Sequence, residues 1–286
     1  MKKTIVIALD GMDYELIQKF DLEHIVQEET GLIGNQTGMS ETFTSELFAS
    51  FITGKTHREH GIKGLTKWTN QKIGRIESVI EKVPLSEKTE RLRKAVWESI
   101  NSLEAKNAKY DKEDLECDTI FEDVDNSRAM FVPGYNPSPF WVIGAGLEPV
   151  RYGCSLDETV EHYDNREFAY RKRELFRELE NDITGTRDFL MCHFHRPDIY
   201  HHLYGDKDAG TFNEEKLYSL YKEIDEFVKG VKNKAEEAGY ERIVFMSDHG
   251  LPTKQSHNEN AFYSSNVEVF GEEKPRITDF YKVLQG

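Results

Sequence analysis

The chain has 286 residues, of which 31% are charged and 38% are hydrophobic, and its formal net charge is -15. This length fits one large domain, or one core with an insertion, because single cores stop growing near about 250–300 residues. The acidic balance argues against a nucleic-acid or anionic-membrane binder, since such partners attract excess Lys and Arg. We therefore expect no stable nucleic-acid complex and no membrane association, whereas an oligomer is compatible with the sequence.

Cysteine usage indicates a reducing compartment. Cys117, Cys154 and Cys192 are widely spaced and form no CxxC pattern, which predicts reduced thiols of an intracellular protein. The first residues carry two lysines and a short apolar run that passes directly into Asp10-Gly11, so they predict a strand rather than a signal peptide. No apolar segment approaches the ~20 residues of a membrane span. The expected location is the cytoplasm.

The first motif is an Asp at the end of a predicted strand. Residues 3–9 are apolar and β-prone, and Asp10 follows them. An Asp in this place is either a turn former or helix N-cap, or a carboxylate held at the mouth of a parallel sheet. Helices are predicted near Tyr14 to Lys19 and again near Glu23 to Glu28.

The second motif is a set of hydroxyl residues at the start of a short amphipathic helix. Leu47, Phe48, Phe51 and Ile52 recur at helical spacing, with Gly54 as the stop and Thr42 to Ser45 at the N-terminus. Ser and Thr are common N-caps. A hydroxyl among the backbone amides of a helix N-terminus can also be a nucleophile toward a phosphoryl group. Both interpretations use the same geometry.

Residues 63–127 differ from the rest of the chain, because polar and charged residues dominate and one amphipathic helix is predicted from Glu87 to Ala105. We interpret this segment as a cap or insertion beside the core, with a solvated charged face.

Just before the insertion, His57 and His60 are predicted to be structural. A long charged helix is predicted from Leu156 to Asp182.

A second strand with metal-ligand residues beyond it is predicted at residues 188–194. Asp198 and His202 follow it four positions apart, so in the first turn of a helix their side chains share one face and can reach one ion. The neighbouring residues His193, His195 and His201 are not assigned as ligands, because the spacing favours His202.

A third strand, at residues 242–247, ends in Asp248-His249-Gly250. Alone, this is either an ordinary polar turn or a pair of metal ligands at the carboxyl edge of a sheet. His257 lies in a polar loop ahead of another short strand. A loop His is usually a surface residue, but here it supplies a ligand that the other motifs lack.

Together these motifs predict a two-ion site on an α/β fold. A ligand follows a strand three times, with helices between, which favours a mostly parallel sheet that gathers ligands at the carboxyl ends of its strands. Three Asp, three His and one hydroxyl exceed what one zinc ion uses and suit two divalent ions with open positions. Two such ions against three carboxylates leave one positive charge, which would attract a phosphate group.

The order and spacing of these motifs resemble the alkaline phosphatase superfamily, and in particular its type I phosphodiesterase/nucleotide pyrophosphatase branch. The resemblance covers residues 1–62 and 128–265 and rests on five pieces, namely Leu9-Asp10-Gly11, Thr44 with Ser50 to Lys55 and His60-Gly61-Ile62, Asp198-x-x-x-His202, Ser247 to Gly250, and His257. It implies one catalytic domain over residues 1–286, an α/β three-layer sandwich with a mostly parallel central sheet and the insertion at 63–127.

The resemblance also implies the roles of the site residues. One metal position, M1, would be held by Asp10, Thr44, Asp248 and His249. A second position, M2, would be held by Asp198, His202 and His257. Thr44, preferred over Thr42 and Ser45 for its spacing to Thr53-Gly54, would attack phosphorus and form a phosphothreonine. The expected metals are Zn, alternatively Mn or Mg, and the expected substrate is a small phosphoester or nucleotide.

Two departures and two alternatives accompany this prediction. The branch commonly has Pro and Asn two and three places after the nucleophile, where this chain has Glu46 and Leu47. No Cys-x-Pro-x-Arg motif is present, so formylglycine sulfatase chemistry is not expected. The alternatives are a phosphomonoesterase or a phosphoglycerate-mutase-like phosphotransferase of the same superfamily, and a non-catalytic metal-binding regulatory protein.

Overall fold

A computed structural model describes residues 2–35, 42–68, 107–138, 155, 158, 164–182, 187–208, 210–253, 257–271 and 273–286. Its strands are β1 (Thr4–Leu9), β2 (Glu29–Leu32), β3 (Lys67–Trp68), β4 (Asn107–Ala108), β5 (Ser127–Met130), β6 (Phe189–Phe194), β7 (Arg242–Met246) and β8 (Phe262–Ser265). Its α-helices are α1 (Tyr14–Lys19), α2 (Thr44–Thr53), α3 (His57–His60), α4 (Ile120–Asp123), α5 (Asn165–Asp182), α6 (Asp198–Tyr204), α7 (Glu214–Glu237) and α8 (Phe280–Gln285).

Within these residues the main sheet has six strands in the order β2-β8-β7-β1-β6-β5. β5, β6, β1 and β7 are parallel neighbours, whereas β8 and β2 are antiparallel at one edge. In the centre, Leu9 of β1 pairs with Phe194 of β6, and Ala8 pairs with Met246 of β7. The carboxyl ends of these three strands therefore lie at the same edge of the sheet. The predicted mostly parallel α/β sheet is confirmed.

Helices cover both faces of the sheet. Ile5 and Ile7 of β1 pack on one face in a cluster with residues of α1, α5 and α7, while Val6 and Ala8 pack on the other face with residues of α2, α4 and α8. This alternation follows from the period of two in a strand that is buried on both sides. The result is the predicted three-layer arrangement of helix, sheet and helix.

Two helix predictions need comment. The helix expected at Glu23 to Glu28 is wrong, because the backbone amides of residues 23–25 donate to the buried carboxylate of Asp225 on α7 and the chain then extends into β2. In the predicted helix over Leu156 to Asp182, the described helical part is α5, and its apolar stripe of Phe168, Leu175 and Leu179 is buried as expected.

Most of the predicted insertion, including the helix expected from Glu87 to Ala105, lies outside the described residues. Its described parts contain the β3–β4 pair, a 3-10 turn at Lys112–Asp114 and α4. The assignment of residues 63–127 as a cap within one domain stays a prediction. Among the described helices, none combines the length and the apolar composition that crossing a membrane requires.

Candidate metal centre

The predicted ligands meet at one edge of the sheet because they follow three adjacent parallel strands. Asp10 comes directly after β1, Asp198 begins α6 just beyond β6, and Asp248 lies two residues after β7. The backbone confirms how close these strand ends are, since Asp198 N donates to Asp10 O at 2.9 Å and Gly11 N donates to Asp248 Oδ1 at 3.3 Å. All three carboxylates are buried.

Two overlapping groups of side chains can each hold a metal ion. In one, Asp198, His202 and His257 place ligand atoms within 4.8 Å of one another, and in the other Asp10, Asp198 and His249 do so. Asp198 Oδ2 lies 3.5 Å from His202 Nε2, and its Oδ1 lies 3.6 Å from His257 Nε2. The three side chains that the resemblance assigns to M2 therefore lie together, and their role as metal ligands stays a prediction.

The M1 ligands are also neighbours. His249 Nε2 lies 3.3 Å from Asp10 Oδ1 and 3.5 Å from Asp248 Oδ2. Asp198 belongs to both groups of neighbouring ligand atoms, whereas the resemblance assigns it to M2 alone.

Several ligand atoms are buried without a hydrogen-bond donor or acceptor among the described residues. They are Oδ1 and Oδ2 of Asp10, Oδ1 of Asp198, Oδ2 of Asp248 and Nε2 of His249. Buried carboxylate oxygens without partners are costly, and in proteins they are normally paired or bound to metals. Carboxylate oxygen and imidazole nitrogen are common ligands of divalent cations, so this donor set fits such ions.

The pKa shifts within the cluster also favour a site for divalent cations. Burial raises the pKa of Asp248 to about 8, and the charges of Asp10 and Asp198 add to this while His249 opposes it. Burial alone would lower the pKa of His249, but the surrounding carboxylates, Asp248 first, raise it to about 10. Burial, followed by the charge of His249, lowers the pKa of His257 to about 3. Divalent cations would reduce the electrostatic repulsion among the three carboxylates. They would also favour the neutral form of the imidazoles, which is the form that binds metal.

A hydrogen-bonded network holds the loop that carries His257. In the described residues of this loop, 250–253 and 257–260 (the 250–260 loop), Leu251 N, Asn258 Nδ2 and Asn260 Nδ2 all donate to Oδ2 of Asp13, at 3.2, 2.8 and 3.3 Å. The turn packs so tightly that a Cβ on Gly250 would lie 2.1 Å from the Asn258 Oδ1 atom. The Gly of the Asp-His-Gly motif is thus needed for the close approach of Asn258 and Asp13 to the backbone at this position.

Thr44 is the first residue of α2 and is buried. One turn later on the same face, Phe48 packs edge-on against His193 with ring centroids 4.8 Å apart, and His193 Nε2 lies 3.3 Å from Asp10 Oδ2. This face of α2 is thus directed toward the Asp10 end of the cluster. The rival hydroxyl of Ser45 donates instead to Leu65 O at 3.2 Å. The roles of Thr44 as ligand and nucleophile stay predictions.

The family model for type I phosphodiesterase / nucleotide pyrophosphatase matches residues 4–268. The chain belongs to this family. No curated protein sequence matches the chain significantly.

Solved structures agree with this family at the level of the fold. Murine ectonucleotide pyrophosphatase/phosphodiesterase 5, in an inactive threonine-to-alanine variant in complex with AMP, is 14% identical, with a TM-score of 0.51, over 89% of this chain and 59% of the murine chain. A variant of the alkaline phosphatase PafA is 11% identical, with a TM-score of 0.52, over 87% of this chain and 63% of that chain. The fold is therefore alkaline-phosphatase-like, and this phosphodiesterase-family chain spans less than two thirds of either structure.

The two departures from the phosphodiesterase pattern have structural roles. Leu47 is fully buried in the core. Glu46 accepts a hydrogen bond from Gly64 N at 2.8 Å, and its carboxylate lies 3.6 Å from His57 Nδ1. Glu46 thus joins the start of α2 to the segment that follows α3.

Other histidines fall into three groups. His60 is buried and bonded to Ser50 Oγ at 3.0 Å, which agrees with the predicted structural role. Nε2 of His201 lies 3.1 Å from the hydroxyl of Tyr221 and is hydrogen-bonded to it, and the choice of His202 over His201 as a ligand stays a prediction. His193 and His195, which were not assigned, border the metal ligands from β6.

The position of His193 could have been anticipated from strand periodicity. Phe189, Met191 and His193 alternate along β6, and Phe189 and Met191 belong to the core cluster that also contains Phe48. The burial of Arg171, the residue on α5 that contacts His193, could not be anticipated from the sequence pattern in this way. A charged residue on a polar helix predicts a solvated position, whereas Arg171 is only 1% exposed.

Proposed function

We propose that this chain is a two-metal-dependent phosphoester hydrolase, a phosphodiesterase or nucleotide pyrophosphatase that acts through a phosphothreonine at Thr44. The observation that carries the proposal is the pair of Asp/His groups sharing Asp198, with buried carboxylate oxygens that lack partners among the described residues. Membership of the phosphodiesterase family supports the reaction class. The murine relative in complex with AMP supports a nucleotide-like substrate.

In the proposed reaction, Asp10, Thr44, Asp248 and His249 hold one divalent cation, and Asp198, His202 and His257 hold the other. When bound, the cations supply Lewis-acid activation and neutralise charge on the phosphoryl oxygens. Zn is the preferred metal because three imidazoles contribute, with Mn or Mg as alternatives.

Thr44 supplies the nucleophile. Its oxygen forms a bond to phosphorus as the bond to the leaving oxygen breaks, and water then cleaves the phosphothreonine and restores the hydroxyl. The position of Thr44 at the start of a ten-residue helix favours this role, because a helix N-terminus stabilises phosphoryl oxygens through its backbone amides. The inactive threonine-to-alanine variant of the murine relative is consistent with a threonine nucleophile.

The decisive experiment combines metal reconstitution with hydroxyl variants. Metal-free protein is loaded with Zn, Mn or Mg and assayed on an aryl phosphodiester, an aryl phosphomonoester and a dinucleotide pyrophosphate. Thr44→Ala should lower turnover at least ~1,000-fold, as loss of a nucleophile does, while metal binding is retained. Thr42→Ala and Ser45→Ala are the matched controls and should stay active.

Three results bear on the proposal separately. A phosphorylated peptide containing Thr44 after acid quench would support the covalent step. Activity that persists in chelator would contradict the metal requirement. Transfer of phosphate to an acceptor instead of water, or exclusive monoester cleavage, would favour the alternative reactions of the superfamily.

The cytoplasmic location is also part of the proposal. Its support is that Cys117 and Cys192 are free thiols, as expected for a reducing compartment. Cell fractionation with a tagged full-length chain tests it, and recovery of the protein outside the cytoplasm would contradict it.

A further inference from the structure

A fully buried arginine lies behind the metal centre. Arg171 on α5 is 1% exposed, and its Nη1 donates to the backbone carbonyl of His193 at 2.7 Å. The same Nη1 lies 2.9 Å from Nδ1 of the His193 ring, and Nη2 pairs with Glu167 one turn earlier on the helix. Burying a guanidinium is costly unless it is paired. These contacts to His193 and Glu167 are the pairing that offsets the cost of burying Arg171.

The contact with Arg171 fixes the tautomer of His193. A guanidinium can only donate hydrogen bonds, so Nδ1 of His193 must accept. In the neutral imidazole, the proton then sits on Nε2, which lies 3.3 Å from Oδ2 of Asp10. An Nε2 atom that carries a proton is not a metal ligand, and here it lies beside the Asp10 carboxylate without a formed hydrogen bond.

The ring of His193 is also held in place from its other sides. Phe48 of α2 packs edge-on against it at 4.8 Å. Nε2 of His193 therefore lies beside one particular oxygen of Asp10. Polar groups placed behind a metal-binding carboxylate in this way orient it for the ion.

We propose that Arg171 is a positioning residue for the metal site: it holds the His193 ring with Nε2–H facing Oδ2 of Asp10, and so favours one orientation of that carboxylate. The inference rests on the proposed two-metal function. Glu167 extends the arrangement to the second carboxylate, since its Oε2 lies 3.5 Å from Nδ1 of His195, whose Nε2 lies 3.7 Å from Asp198 Oδ2. One turn of α5 thus supports both Asp10 and Asp198.

The test separates the donor role from a simple packing role. The tautomer of His193 is read from long-range 1H–15N spectra of the metal-free full chain, with the signal assigned by its loss in His193→Gln. Zinc affinity is measured by chelator competition in the wild type, Arg171→Met and Arg177→Met. Arg177 is on the same helix and its side chain is 69% exposed, so it is the matched control. Thermal unfolding checks that each variant folds, and Arg171→Lys, which keeps the charge, is the milder second variant.

We expect an Nε2–H tautomer in the wild type and an affinity for one zinc ion that is about 10- to 100-fold weaker in Arg171→Met, the range for groups that orient metal ligands. Arg177→Met should leave the affinity unchanged. His193→Gln, which keeps a donor near the Nε2 position, should retain affinity that His193→Leu loses. The double variant with Arg171→Met and His193→Leu should lose no more than either single variant, because both act through one contact.

The outcomes distinguish this inference from the proposed function. An Nδ1–H tautomer, or a zinc affinity in Arg171→Met equal to that of Arg177→Met, overturns the inference alone. Zinc affinity that depends on Arg171 in a chain that hydrolyses no phosphoester supports the inference and overturns the proposed function. A wild-type chain that binds none of Zn, Mn and Mg overturns both.

Discussion

Replacing Asp13 with alanine is expected to loosen the 250–260 loop and with it the M2 position. Asp13 is 1% exposed and accepts three hydrogen bonds from that loop through Oδ2. Its Oδ1 also caps α1 by accepting from Leu16 N at 3.1 Å. One buried carboxylate therefore joins the first helix of the chain to the loop that carries His257.

The expected change in the free energy of unfolding follows from the hydrogen bonds that are lost with the Asp13 carboxylate. Loss of the helix cap costs about 1 kcal/mol. The N–H of Leu251 is buried and would be left without an acceptor, at about 1–3 kcal/mol, whereas the half-buried Asn258 and Asn260 amides can turn to water. We expect Asp13→Ala to lower the free energy of unfolding by about 2–4 kcal/mol. Natural domains have about 5–15 kcal/mol in total, so the variant should still fold.

Asp13→Asn separates the two roles. Its remaining oxygen can still cap α1, but its NH2 group would face the three donors of the loop. This variant should therefore keep most of the helix cap and weaken metal binding at His257 as much as Asp13→Ala does. Glu15→Ala is the control, because Glu15 is an exposed carboxylate in the same helical turn.

The assays are urea unfolding followed by circular dichroism at pH 7, and zinc stoichiometry measured on the same samples. A loss below about 0.5 kcal/mol for Asp13→Ala, the usual range of surface substitutions, would refute the assignment of these hydrogen bonds. Full occupancy of both metal positions in Asp13→Asn would refute the link between the loop and M2.

Two further predictions concern stability outside the site. Asp225→Ala should lower the free energy of unfolding by about 2–4 kcal/mol, since it leaves three amides of residues 23–25 without their buried acceptor; urea unfolding against the exposed control Glu226→Ala checks this, and equal midpoints would contradict it. Burial lowers the pKa of His60 to about 4 from its usual 6.5, so the unfolded chain takes up a proton between pH 6.5 and 4 that the folded chain does not. Stability should fall by up to about 3 kcal/mol as the pH falls through that window, and a His60→Asn variant with the same pH dependence would contradict this.

Local patterns predicted most elements near the site. The first strand and the helix that begins near Thr44 were predicted, because their apolar spacing and turn residues are local signals. The helix that begins at Asp198 was a condition of the i,i+4 pairing with His202, and the structure contains it. The prediction of a helix at Glu23 to Glu28 was wrong because a contact distant in sequence decides the backbone there. Its amides are held by Asp225, about 200 residues away in sequence, and no local pattern contains that contact.

The sequence by itself determined which chemical groups follow which strands and paired Asp198 with His202, whereas the grouping of His257 with them came from the resemblance to the family. Only the tertiary structure decided that Asp198 also joins the other group, and that Arg171 and His193 stand behind Asp10. The physical reason is that strands far apart in the chain pair side by side. Gly11 and Asp248 are 237 positions apart yet hydrogen-bonded, so the distances that define the site arise only when the sheet has formed.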